Sequence, residues 1–124
     1  ANHLNFQTIK SVADLEAKLA LAKQNQQATM LDFTATWCPD CETLEKVTFV
    51  DSNVMKSLQG VQILRADVSA QDELDRALAA KFTVPGPPAI LFFDLNGNEI
   101  RKIRVQGYKN PEQFVKITDQ LPRR

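Results

Sequence analysis

The nine residues ATMLDFTAT, 28–36, constrain the fold more than any other stretch of the chain. They are short, apolar and rich in β-formers, the pattern of a strand buried on both faces rather than of one that alternates between core and water. Such a strand has to lie inside a sheet that is covered above and below. It runs into Trp37, Cys38 and Pro39, and Pro39 suits a first helical turn, so CPDCETLEKVTF is expected to be a helix that begins at the cysteine pair.

The remaining segments supply the sheet and its cover. Ser11 and Asp14 read as a capping box that opens KSVADLEAKLALAK, with Val12, Leu15 and Leu19 at helical spacing. Asp51 is placed to cap DSNVMKSLQ, which Gly60 stops. VQILRADV reads as the next strand, and Ser69 with Asp72 as the box before a helix whose period is kept by Leu74, Ala77, Leu78, Lys81 and Phe82. After VPGPP come the strand AILFFDL, the hairpin signal Asn96-Gly97, and EIRKIRVQG as antiparallel partner. Asn110-Pro111 opens a last helix with Phe114, Ile117 and Leu121 on one face. This order predicts an α/β fold, a central mixed sheet flanked by helices on both faces, with residues 1–124 as one domain.

Composition fits that reading and excludes several classes. At 124 residues and 44% hydrophobic the chain has the content of one domain with a core. Fifteen basic and fifteen acidic residues cancel, so no overall field draws the protein to nucleic acid or to an anionic membrane. The longest apolar run, around PPAILFF, falls far below the ~18 residues of a membrane span, and ANHLNFQ lacks the order of a signal peptide. The expectation is a soluble domain, mature or excised from something larger.

The chain has only two cysteines, Cys38 and Cys41. A bridge between them closes so small a loop that it is worth only ~2 kcal/mol, a poor structural staple. A closed zinc site needs four ligands, and the sole histidine, His3, sits near the N-terminus, so no metal site is expected. Thiols spaced Cys-x-x-Cys at a strand-to-helix junction suit two-electron exchange: one attacks a disulfide and the other, a turn on, resolves the mixed disulfide. Unpaired N–H groups at the helix start favour the first sulfur as thiolate, which makes Cys38 the candidate nucleophile and Cys41 the resolver. Two buried apolar cysteines or a transient Cu(I) clamp are the other readings.

MLDFTATWCPDC, VPGPPAILFF and the Asn-Gly hairpin, in this order, resemble the thioredoxin superfamily over essentially the whole chain. Asp32, the WCxxCxxxE pattern ending at Glu45, TFVDSNV and VQGY are similar to the C-terminal periplasmic domains of the DsbD family of bacterial inner-membrane thiol:disulfide interchange proteins. The resemblance implies a thioredoxin fold and a protein-disulfide reductase that needs no cofactor beyond its Cys38–Cys41 disulfide. It implies a periplasmic location as a domain of an inner-membrane protein, monomeric when isolated. It further implies that electrons arrive from a transmembrane domain and leave to an N-terminal periplasmic domain of the same protein. A free-standing thioredoxin or a cytochrome-maturation reductase is the alternative within the fold. Pro88 matches the position of the fold's cis-proline, which would expose neighbouring backbone to a substrate strand. Pro87 departs from the aliphatic residue more usual there. Trp37, Pro39, Pro87 and Pro88 are thus the candidate partner-facing residues, with Trp37 either core or a lid over the sulfur.

Two acids complete the candidate site. Asp32 lies mid-strand among apolar residues, where a carboxylate either finds a partner or stays protonated. Glu45, four residues after Cys41 and seven after Cys38, shares their helical face and leans back toward the sulfurs; the plainer reading is a surface glutamate paired with a lysine. Asp40 and Glu42 read as ordinary first-turn acids facing water. A helix terminus favours a thiolate by ~0.3–1 kcal/mol, whereas one carboxylate ~6 Å away at an effective dielectric near 20 opposes it by roughly 2.8 kcal/mol. Asp32 and Glu45 are therefore expected to raise the Cys38 pKa and keep the thiol quiet, unless they protonate and share the shift.

Overall fold

The computed structural model describes residues 3–123; residues 1, 2 and 124 of the expected single-domain span lie outside them. Five strands form one mixed sheet, with spatial order β1-β3-β2-β4-β5. The strands are β1 (Gln7–Ile9), β2 (Thr29–Thr34), β3 (Gln62–Asp67), β4 (Ala89–Phe93) and β5 (Val105–Gln106). β3 pairs in parallel with β1 and β2, while β4 runs antiparallel to both β2 and β5. The central strand β2 is buried at five of its six positions, as its unbroken apolar pattern predicts.

Helices cover both faces. On one, α1 (Val12–Gln24) and α4 (Glu73–Lys81) bring Leu15 and Leu78 onto Leu31, Phe33, Leu64 and Leu91. On the other, α2 (Pro39–Thr43), its continuation, α3 (Ser52–Ser57) and α5 (Pro111–Thr118) bring Leu44, Phe49, Val54 and Phe114 onto Met30, Ile63, Ile90 and Phe92. The path from β1 to β2 skips over β3, and the path from β2 to β3 comes back. Winding therefore reverses at β2, and the loop leaving its carboxyl end lies at the edge where open α/β sheets carry their functional groups. That loop delivers Cys38 to the start of α2, whose first turn holds Cys41.

Four sequence expectations need correction. The capping box of α4 sits three residues later than expected: Asp72 caps and Asp75 closes the box, while the Ser69 hydroxyl is engaged by the Thr36 N–H and by Asp67. The inward face of α4 shifts with it, so Leu74 and Ala77 face water while Asp75, held by Lys10 at 2.6 Å, takes a buried place beside Leu78. EIRKIRVQG is not a continuous strand: after a bridge from Phe93 to Glu99, a 3₁₀ turn at Arg101–Ile103 interrupts it, and only Val105–Gln106 pairs regularly. The helix begun by the cysteines widens at Leu44–Thr48 into a π-helical turn, closed by Phe49 N–H on the Leu44 carbonyl at 2.8 Å. β1, a three-residue edge strand, left no periodicity to detect. Among the described residues no helix is long and apolar enough to cross a membrane.

Candidate active site around the cysteine pair

Cys38 and Cys41 form a disulfide, with Cα atoms 5.2 Å apart. Cys38 is the N-cap of α2: its backbone is extended and its Sγ accepts the Cys41 N–H at 3.2 Å. Pro39 follows at the first helical position, where its missing N–H costs nothing. Burial does not tell the two sulfurs apart, since Cys38 is 6% and Cys41 4% exposed. Position does, because the N-cap sulfur receives the helix's unpaired N–H groups.

Trp37 is half exposed, at 50%, and so is a surface residue beside the pair rather than core. Its indole N–H donates to the Ser69 carbonyl at 3.0 Å, and the Thr36 N–H donates to the Ser69 hydroxyl at 2.8 Å. Ser69 is itself tied to Asp67, whose carboxylate accepts from both its N–H and its hydroxyl. The serine expected to cap α4 instead braces the loop that presents Cys38. Those hydrogen bonds hold the Asp67 carboxyl below its usual range.

The Pro87–Pro88 peptide is cis, as the resemblance predicts for Pro88. Because Phe33 pairs with Ala89, this loop flanks the residues that lead from β2 to Cys38. Gln106 supports it from β5, its side-chain amide donating to the carbonyls of Gly86 (2.9 Å) and Pro88 (3.1 Å). Neither Pro87 nor Pro88 has an N–H to offer, and the Pro88 carbonyl also accepts the Gly107 N–H at 2.9 Å.

Asp32 is 2% exposed. Burial pushes its carboxyl up to about 6 in spite of the cation beside it, which pulls the other way. That cation is Arg65, a residue sequence reasoning passed over. Strand register places it opposite Asp32, and its Nε and one terminal nitrogen each lie 3.1 Å from Asp32 Oδ2. The same guanidinium is ion-paired with Glu45 Oε1. Glu45 is thus paired, and its partner is an arginine of β3 rather than a lysine; it reaches that arginine from the π turn. Its side chain remains 44% exposed. The signal for Arg65 was a charged residue inside VQILRADV, a strand otherwise as apolar as its neighbour. Asp40 and Glu42 face water as expected, and Lys46 pairs with Glu42 at 2.7 Å and lowers its pKa.

The thioredoxin-like domain family matches residues 15–122. A thiol:disulfide interchange protein DsbD of Ralstonia nicotianae is 41% identical over 110 residues, covering 89% of this chain and 18% of the relative. The DsbD of Pectobacterium atrosepticum is 44% identical over 111 residues, 90% of this chain and 19% of the relative. The chain therefore spans about a fifth of the length of the curated relatives it matches. Among solved structures, the oxidised C-terminal domain of Neisseria meningitidis DsbD superposes with a TM-score of 0.81 at 21% identity, covering 94% of this chain and all of that one. A thioredoxin of Thermus thermophilus gives 0.71 at 23% identity over 94% of this chain and 87% of its own.

Proposed function

The chain belongs to the thioredoxin-like family, and from that premise we propose that it is a thiol:disulfide reductase in which Cys38 attacks and Cys41 resolves. One observation carries the reading. The two sulfurs are bonded to each other at the start of a helix, at the carboxyl end of the central strand, and the first of them is the helix cap.

The cycle balances without a cofactor. A donor dithiol reduces the Cys38–Cys41 disulfide, supplying two electrons and leaving as a disulfide. The Cys38 thiolate then attacks one sulfur of the partner's disulfide, forming a mixed disulfide and releasing one partner thiolate. Cys41, as thiolate, attacks the Cys38 sulfur, re-forms the internal disulfide and releases the second partner thiolate. Asp32 and Glu45 take up and return protons as the thiols ionise. Trp37, Pro39, Pro87 and Pro88 form the face against which the partner lies. The Pro87 carbonyl accepts an N–H from an extended segment, whereas that of Pro88 is already taken by the Gly107 N–H and the Gln106 amide, and neither proline donates.

The relatives carry this domain as a fifth of a longer protein. That leaves room in the same protein for a donor and an acceptor, which in this reading are a membrane-embedded cysteine pair and an N-terminal periplasmic domain, with the present domain acting in the periplasm. A thiol held quiet between encounters suits that compartment, because indiscriminate attack would drain electrons into structural disulfides.

Catalysed reduction of insulin by dithiothreitol tests the reading. The domain is expected to accelerate it, and Cys38→Ser to abolish the acceleration. A wild-type rate no faster than dithiothreitol alone, with one Cu(I) bound per chain, would replace the reductase by a metal carrier.

A further inference from the structure

Three elements converge on one guanidinium. Arg65 projects from β3 toward Asp32 on β2 and Glu45 on the π turn, and it is the only residue in contact with both acids among the ion pairs of the described residues. Its outer face lies on the Phe6 ring, 3.6 Å from the centroid, and Phe6 in turn packs on Phe49 at 5.5 Å. Phe49 closes the same π turn that delivers Glu45. The guanidinium is therefore fixed from both sides, by carboxylates and by an aromatic bracket. The planar guanidinium turns Nε and a terminal nitrogen to Asp32 while the same terminal nitrogen meets Glu45.

We infer that Arg65 is the positioning residue of the acid pair: it pins Asp32 and Glu45 to one cation, so that the Cys38 sulfur meets a single group of net charge −1 instead of two separate negative charges. The inference rests on the proposed reductase reading and says how its nucleophile is tuned. Asp32 lies two residues before the end of β2 and Glu45 seven residues after Cys38, and the shared cation is what lets the chain carry both acids beside a sulfur that has to ionise. Two unshielded carboxylates would outweigh the helix terminus, whereas a pair offset by one cation opposes it about half as strongly. The other charged groups nearby are committed or remote from the pair. Asp67, two residues along β3, is bonded to Ser69, Lys46 is paired with Glu42, and His3 lines the cavity of about 400 Å³ through which Glu45 and Arg65 meet water.

The test is the rate of Cys38 alkylation against pH in the fully reduced protein, for wild type, Arg65→Gln, Arg65→Lys and Glu45→Gln, with insulin reduction by the wild type measured alongside. Arg65→Gln is expected to slow alkylation at neutral pH roughly tenfold by moving the thiol midpoint up by about one pH unit. Arg65→Lys restores the charge and should recover most of that loss, which a packing defect would not allow. Glu45→Gln removes one negative charge and should move the midpoint down, so the inference remains testable if Arg65→Gln does not fold. Equal midpoints in wild type, Arg65→Lys and Glu45→Gln, or an Arg65→Gln midpoint at or below that of wild type, would overturn the inference. Failure of insulin reduction with these midpoint shifts intact would instead overturn the reductase reading.

Discussion

Asp32 and Arg65 face each other across the parallel register of β2 and β3, the carboxylate fully enclosed and the guanidinium 3.1 Å from its Oδ2. The attraction does not offset the cost of burial, which pushes the carboxyl up to about 6 from its ordinary value of 3.8. This is a site where stability has been given up for a group that exchanges protons close to neutrality.

Replacing Asp32 by Asn should therefore stabilise the fold at pH 7. Between pH 3.8 and about 6 the folded protein keeps a proton that the unfolded chain has lost, so stability falls as pH rises through that window and stays lower above it. The difference is worth about 3 kcal/mol, reduced to a gain of about 1–3 kcal/mol because Arg65 loses a partner. Urea unfolding of wild type and Asp32→Asn from pH 4 to 7 checks it. The two curves should converge toward pH 4 and separate by pH 7.

Ser69→Ala should loosen the loop before Cys38. It removes the acceptor of the Thr36 N–H and the hydroxyl bonded to Asp67, two contacts at a partly solvated site. The expected loss is about 1 kcal/mol, or ~3–5 °C in Tm. Insulin reduction should slow severalfold, because Trp37 rests on the Ser69 carbonyl.

Thr83 ends α4 in the left-handed region at φ 55°, where a β-branched residue is strained. The N–H of Thr83 reaches the Ala80 carbonyl and that of Val84 the Ala79 carbonyl, the double bond pattern that glycine usually completes. Thr83→Gly should raise stability by about 1 kcal/mol, read as a Tm increase of ~3–5 °C. It should leave disulfide exchange unchanged.

Much of this architecture was legible in local pattern. β2 announced itself by an unbroken apolar run, α1 by its capping box, α5 by Asn110-Pro111, and the redox pair by its spacing around Pro39. What escaped depends on contacts across the sheet or on competition between neighbours. Arg65 matters only because register sets it opposite Asp32, and no window of either strand contains both. Ser69 and Asp72 both had capping chemistry, and the choice was made by the loop, which needed the serine for Thr36. The π turn brings Leu44 and Phe49 into the core beneath it, and a 3.6-residue wheel drawn on the helix alone gave no sign that Glu45 meets an arginine from another strand.

The most direct measurement is mass spectrometry of the adducts formed when reduced Cys41→Ser and Cys38→Ser variants meet a disulfide-bonded peptide. Cys41→Ser should accumulate a stable one-to-one mixed disulfide at Cys38, since the sulfur that would resolve it is gone, while Cys38→Ser reacts at least tenfold more slowly. Adducts that form chiefly on Cys41, or on neither sulfur, would contradict the assignment of the helix-capping cysteine as the attacking one.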